Sequence, residues 1–290
     1  MTKELVIRNM TRPEVDALIG WAAREGWNPG LNDVDLFWAA DPDAFIAAEL
    51  AGELIGGGAI ISYQGEFGFM GLFIVRSEFR GRGLGDTLWH ALRERLLARL
   101  RPGAGIGLDG ASAMQDYYAK GGFVFSHRNL RFRTELPERL VTPNVGNQDI
   151  VPLAGVPFDQ VLDYDRSCFP APRVTFLKGW LSQPEATALG CRRAGNLSGY
   201  GVVRRCGLGH KIGPLFADDL QAAQALYARL AERAGGGPLF LDAPENNPAA
   251  LELVQWHRMV EVFGSARMYL GPAPDIAYRR IFGVTTLELG

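Results

Sequence analysis

Between an apolar run and a leucine-rich stretch, Arg80-Gly81-Arg82-Gly83-Leu84-Gly85 sets three glycines in alternation with other residues. Glycine permits positive φ and close approach, so such a turn at a helix start leaves backbone N–H groups free to wrap an anion, aided by the helix dipole. A pyrophosphate suits that nest. Arg80 and Arg82 add charge, each worth about 1 kcal/mol or less on an exposed loop. Two other phosphate-binding patterns fail on spacing. The dinucleotide fingerprint needs two residues between its second and third glycines, where only Leu84 separates Gly83 from Gly85; the P-loop needs Gly-Lys before Ser or Thr, where Gly85 precedes Asp86 and Thr87.

Other reactive side chains are less organised. Cys168 stands in Asp165-Arg166-Ser167-Cys168-Phe169-Pro170 with no histidine or helix start tied to it, so a packed thiol is expected rather than a nucleophile. His90, His127, His210 and His257, with Asp242 and Glu245, form no metal-ligand spacing, and no metal is expected. Cys168, Cys191 and Cys206 are few and odd in number, which disfavours a disulfide framework.

The elements that must position the glycine turn can be read from periodicity. Thr11-Arg12-Pro13-Glu14 is a capping box, followed by Val15, Leu18, Ile19 and Ala22 at helical spacing up to Gly26. Trp27-Asn28-Pro29-Gly30 is a turn carrying an aromatic residue, hence a candidate substrate wall, and a short helix follows around Leu36 to Ala40. Phe45 to Leu50 and Leu54 to Tyr63 read as a hairpin, and Phe67 to Val75 as the strand entering the turn. Leu84, Leu88, Leu92, Leu96 and Leu100 form the stripe of the helix that leaves it. A strand at Gly105 to Asp109, a helix near Ala113 to Lys120 and a strand from Phe123 complete the first half.

Leu136 to Pro157 is the linker candidate. Beyond it, Val161 to Phe169 reads as helix, Gly199 to Arg204 and Lys211 to Phe216 as strands, Leu220 to Ala234 as helix, Leu239 to Asp242 as strand, Pro248 to His257 as helix and Val260 to Tyr269 as strand. This repeats the element order of the first half, and the 290-residue length favours two units.

Net charge of −2 and a pI near 6.1 supply no positive field for nucleic acid or an anionic membrane. No apolar run approaches the roughly 20 residues of a membrane span, and the first residues lack a signal-peptide core, so a cytoplasmic chain is expected.

Arg80, Gly83 and Gly85 in the pattern R-x-x-G-x-G follow Leu72-Phe73-Ile74-Val75. After the next strand comes Tyr118-Ala119-Lys120-Gly121-Gly122-Phe123. Together these resemble the acetyl-CoA loop and the Y-x-x-x-G-F segment of the GNAT N-acyltransferase superfamily, over about the first 135 residues. The resemblance implies an α/β (mixed α+β) fold of two GNAT-like units, residues 1–138 and 139–290, each a mixed twisted sheet with helices on both faces. It implies acetyl-CoA as acyl donor, held by Phe73, Ile74 and Val75 along the pantetheine arm and by Arg80, Gly81, Arg82, Gly83, Leu84, Gly85 and Asp86 around the pyrophosphate. Tyr118 matches the family's tyrosine near the thioester sulfur, and Trp27 and Asn28 lie where an acceptor would enter.

The expected reaction is direct attack of a primary amine on the thioester. Reaching the neutral form of an amine of pKa about 10.4 at pH 7 costs about 4 to 5 kcal/mol, so a base is expected. The glutamate that some family members carry on the central strand is absent from Phe67-Gly68-Phe69-Met70-Gly71, leaving Glu25, Glu66 and Asp109 as weak candidates. The second half lacks a glycine nest, having Ala217-Asp218-Asp219 there and Val254 opposite Tyr118. It is therefore read as a companion without cofactor, with Asp165, Arg173 and Phe169 as candidate acceptor walls. The acceptor is a small-molecule amine or a protein lysine, and the chain a monomer or homodimer. The rival reading is a non-catalytic acyl-CoA-binding or sensing module.

Overall fold

The computed structural model describes residues 4–136 and 149–290. The first half runs β1 (Leu5–Asn9), α1 (Arg12–Arg24), α2 (Asp33–Ala40), β2 (Phe45–Leu50), β3 (Glu53–Tyr63), β4 (Phe67–Val75), α3 (Leu84–Leu97), β5 (Gly105–Ala111), α4 (Gln115–Lys120) and β6 (Val124–Leu136). The second runs β7 (Asp149–Pro152), α5 (Phe158–Cys168), α6 (Val174–Ser182), β8 (Ala186–Arg193), β9 (Asn196–Arg205), β10 (His210–Ala217), α7 (Leu220–Ala234), β11 (Gly237–Pro244), α8 (Pro248–Trp256), β12 (Val260–Leu270) and β13 (Ile281–Gly283). The boundary at residues 138/139, and most of the segment read as a linker, lie outside the described residues.

Both halves join in one sheet, ordered β1-β2-β3-β4-β5-β12-β6-β11-β10-β9-β8-β7, with β13 on β10. The junction is an exchange. β6, the last strand of the first half, pairs with β11 of the second, while β12, from the second half, pairs with β5 of the first. The two exchanged strands also pair with each other, antiparallel. Neither half completes its sheet without a strand from the other.

Helices cover both faces. On one, Leu88, Trp89, Leu92 and Leu96 of α3 are buried against Ile46, Ile60, Ile106 and Leu108, which places the leucine stripe where its spacing requires. On the other, Val15, Leu18 and Ile19 of α1 and Phe37 of α2 pack with Phe69, Phe176 and Trp180. Phe176 and Trp180 belong to α6, and so α2 and α6 meet across the halves, with Phe37 stacked on Trp180 at 6.3 Å. The α1 capping box closes as read, Glu14 Oε2 accepting from the Thr11 N–H at 2.7 Å.

Past Met70, β4 and β5 part. Their parallel ladder runs only from Phe67↔Gly105 to Met70↔Leu108. On the β3 side the register shifts between Gly57 and Ala59, and Leu72 there has φ of 53°, a sparsely populated value for a residue with a side chain. The second half opens in the same place: β10 and β11 pair from His210↔Leu239 to Ile212↔Leu241 and then separate. There β13 enters the gap, pairing Leu215↔Gly283 and Phe216↔Ile281, and the Val284 N–H donates to Asp242 O at 2.9 Å.

Buried ion pairs tie the two halves together. Arg204 on β9 is bidentate to Asp33 at the start of α2, at 3.0 and 3.2 Å, and its guanidinium lies 4.4 Å from the centre of the Trp180 ring. Arg131 on β6 is bidentate to Asp242 on β11 at 2.6 and 2.8 Å. Within the second half, Asp165 and Arg173 form another buried pair, with Arg173 also donating to Thr285 Oγ1 and Gly290 O. Arg173 lies over Phe169 at 4.1 Å, so these three residues brace the core, and the expectation that they wall an acceptor site is corrected.

Removing one partner of a buried pair leaves the other charge uncompensated, at a cost of about 3–5 kcal/mol. Urea unfolding should therefore show Arg204→Met destabilised by that order. Adding Asp33→Asn to it should recover more than half, whereas unchanged stability of the single variant would contradict an ion-paired clamp.

Candidate active site

The gap between β4 and β5 opens into a cavity of about 540 Å³ bounded by β4, the glycine turn, the start of α3, β5, α4, Trp27, Arg131, Phe263 and the 287–288 segment. Alternation along β4 sets which backbone groups face it. The Arg76 N–H donates to Ile55 O on the β3 side, so Phe73 and Val75 turn their N–H and C=O groups the other way, toward the gap. Val75 O there accepts from Arg80 Nε at 2.7 Å. Sequence reading placed Phe73 and Val75 on this edge; Ile74 shares the wall through its backbone while its side chain packs into the core.

The turn leaves a run of donors. Gly81 and Gly83 have φ of 73° and 76°, a left-handed conformation that side chains resist, and Gly83 caps α3 without a side chain. Among the described residues no acceptor meets the N–H groups of Gly81, Arg82, Gly83, Leu84 or Gly85; the first bond of the helix is Asp86 N–H to Gly83 O at 3.2 Å. Five successive free donors at a helix start make an anion nest. Arg80, Gly81, Gly83, Gly85 and Asp86 line the cavity; Arg82 and Leu84 do not. Arg82 donates to Glu78 O and lies over Phe79, and the Leu84 side chain packs on the α3 core.

Two tyrosines on α4 reach the cavity, and their hydroxyls differ. Tyr117 donates to Asp86 Oδ1 at 2.8 Å. Tyr118, its ring 4.9 Å from that of Trp89, donates to no residue among those described. Burial pushes the Tyr118 phenol up to about 12, so it is protonated at neutral pH and serves as a donor rather than a base.

Trp27 lines the far wall, held by its carbonyl: Arg131 Nη1 donates to it at 2.5 Å. Asn28 does not line the cavity. Its amide is bound both ways to the Leu208 backbone, at 2.9 and 2.8 Å, and its carbonyl accepts from Lys211 Nζ at 2.9 Å, so it fixes the loop instead of meeting a ligand. Of the carboxylates weighed as base, Glu25 pairs with Arg80 at the rim and Glu66 lies outside, pairing with Arg101 and Arg166. Asp109 is bidentate to Arg267 and accepts from Asn129, and so is already committed.

Other groups are quiet. Burial pushes the Cys168 thiol up to about 12, and it lies outside this cavity. His127 is pushed down to about 3, first by burial and then by Arg267, so it is neutral. No group of three or more His, Cys, Asp or Glu among the described residues is placed to hold a metal, and no helix among them is long and apolar enough to cross a membrane.

Sequence reading missed Arg131, Phe263, Leu287 and Glu288, all contributed by β6, β12 or the 281–290 segment. No motif marks them, because they reach the cavity through the strand exchange and a pairing with β10.

Comparison with known proteins agrees with this geometry. Residues 12–123 match a family model described as the acetyltransferase (GNAT) family, and residues 161–283 one described as an acetyltransferase (GNAT) domain. A holothin acyltransferase of Pseudoalteromonas is 27% identical over 93% of this chain and 89% of its own. The crystal structure of a candidate acetyltransferase of Pyrococcus horikoshii superposes with a TM-score of 0.82 at 25% identity, covering 99% of this chain and 96% of that one. A tandem GNAT protein from the clavulanic acid biosynthesis pathway shares the fold at a TM-score of 0.61 and 13% identity, over 93% of this chain and 100% of that one. With both halves matched, and with the sheet opening at the same point in each, the chain belongs to the GNAT acetyltransferase family, as an enzyme carrying two GNAT units in tandem.

Proposed function

We propose that this enzyme transfers an acetyl group from acetyl-CoA to a primary amine, in the cleft between β4 and β5. The observation that supports it is that the free edge of β4 at Phe73 and Val75 and the unpaired N–H groups of the glycine turn, with Gly81, Gly83 and Gly85 at its wall, border one cavity. That border fits a donor with an amide-bearing arm and a pyrophosphate. Bound there, acetyl-CoA would supply the thioester carbonyl and a thiolate leaving group.

The residues then take separate parts. The β4 edge pairs with the arm as a missing strand would, and its N–H groups polarise the carbonyl where negative charge develops. The glycine turn and Arg80 hold the phosphates. Tyr118 donates a hydrogen bond, and then its proton, to the departing sulfur. From a phenol near 12 to a thiolate of pKa about 8.5 that transfer is uphill by about 5 kcal/mol before the cofactor's own desolvation is counted, so the proton moves late, as charge builds.

In this reading residues 1–138 bind the acyl donor and 139–290 form a companion unit without cofactor, its cleft filled by β13. The apolar wall of Trp27, Phe263 and Leu287 suits an amine with an apolar body. The relative named for holothin supports a small-molecule acceptor in preference to a protein lysine.

Calorimetric titration of acetyl-CoA should give one site per chain. Gly83→Glu, which puts a side chain on positive φ and a negative charge in the nest, should weaken it by about 100-fold or more; no binding by the unaltered protein would overturn the reading. Tyr118→Phe should lower thiol release by about 100-fold or more while acetyl-CoA affinity holds within about twofold. Unchanged turnover would remove Tyr118 from the chemistry.

A further inference from the structure

Most buried charges in this fold are matched. Arg131 pairs with Asp242, Arg173 with Asp165, Arg204 with Asp33, Arg267 with Asp109 and Arg99 with Asp41. Among the described residues, two buried side chains expected to be charged have no ion-pair partner: Lys211 and Glu288. Lys211 is committed to backbone, donating to the carbonyls of Asn28 and Trp27. Glu288 is 3% exposed and lines the β4–β5 cavity. One carboxylate oxygen accepts from Thr286 Oγ1, and nothing among the described residues donates to the other.

The position of Glu288 is fixed by the route of its segment. After β13 fills the second cleft, the chain crosses to the first and lies against β4 at Gly71. A Cβ on Gly71 would come within 1.8 Å of Glu288 O, so glycine there is required by the approach. The segment is held beyond this point by Tyr63 Oη donating to Leu289 O at 2.8 Å and by Arg173 donating to Gly290 O at 3.2 Å. Glu288 therefore stands beside the part of β4 where the ladder to β5 ends, and where the carbonyl would be polarised. Arg131 on β6, Arg204 on β9 and Lys211 on β10 all lie close enough to interact electrostatically with it. The two arginines are largely balanced by Asp242 and Asp33.

We propose that Glu288, carried into the first unit's cleft by the 281–290 segment of the second, is the catalytic base that receives the amine's proton. This rests on the acyl-transfer reading above and supplies the group that sequence reading could not find. The ammonium form of the acceptor first releases one proton to solvent. As the amine nitrogen bonds to the carbonyl carbon, its second proton passes to the Glu288 carboxylate, directly or through one water. The carbon–sulfur bond breaks with its electron pair going to sulfur, which takes the Tyr118 proton. Glu288 then gives its proton back to the Tyr118 phenolate through solvent. Net, ammonium and thioester yield amide, thiol and one proton.

The role would couple the two halves in function. The second unit cannot bind a donor, because β13 occupies its cleft, yet the same segment equips the first.

The test uses the full chain, acetyl-CoA, and a panel of amines comprising phenethylamine, tryptamine, glucosamine and lysine, with thiol release followed from pH 5 to 9. Glu288→Gln should leave acetyl-CoA affinity within about twofold and lower kcat by about 100-fold or more. Glu288→Asp keeps the charge on a shorter stem and should retain more activity than Glu288→Gln. A purely structural glutamate predicts the reverse order, since Gln preserves its volume, and that order overturns the proposal, as does an unchanged kcat in Glu288→Gln. Thiol release with none of the amines by the unaltered protein would overturn the acyl-transfer reading itself, and this proposal with it.

Discussion

A sheet that opens between two strands leaves backbone N–H and C=O groups that no neighbour satisfies, and buried groups of this kind must find partners. Much of this molecule follows from that constraint. The sheet opens twice, past Met70 on β4 and past Ile212 on β10, at corresponding points of two similar units. In the second opening the chain supplies the partner itself, β13 pairing with β10 at Leu215 and Phe216. In the first, the Phe73 and Val75 groups face a cavity that the glycine turn also borders. One opening is closed by its own chain and the other stays a cavity.

The same economy binds the halves together. β6 and β12 each complete the other unit, and the last ten residues pass from the closed cleft to the open one. The loop at Trp27 and Asn28, which forms the far wall, is held by cations of the exchanged strand β6 and of the second half: Arg131 and Lys211 through its carbonyls, and Arg204 through Asp33 at its end. The second half thus supports the walls of the first unit's cavity. Removing the second unit would leave β5 without its neighbour β12 and the cavity without Phe263, Ser265, Leu287 and Glu288.

Local signals in the sequence located the elements well. The capping box at Thr11, the leucine stripe from Leu84 and the helix Leu220 to Ala234 appear as read, because periodicity reports burial on one face. α6 and β8 went unread: Val174–Ser182 spans only nine residues, with Phe176, Leu177 and Trp180 buried, too short a window for a clear helical period. The glycine turn was legible because its chemistry needs residues adjacent in sequence. Glu288 was not, since nothing nearby in sequence marks it and its place depends on a path set by β13. Asn28 illustrates the reverse error: a polar residue in a turn looks like a ligand contact until its amide is found bound to Leu208.

The central claim is that the open cleft of the first unit, and not the matching one of the second, receives the acyl donor. Amide hydrogen exchange with and without acetyl-CoA tests it most directly, since exchange reports the very N–H groups on which the account rests. Slowed exchange is predicted across Phe73 to Asp86, with no change at Leu215 to Leu220. Slowing at the β10–α7 junction, or none along β4 and the glycine turn, would contradict it.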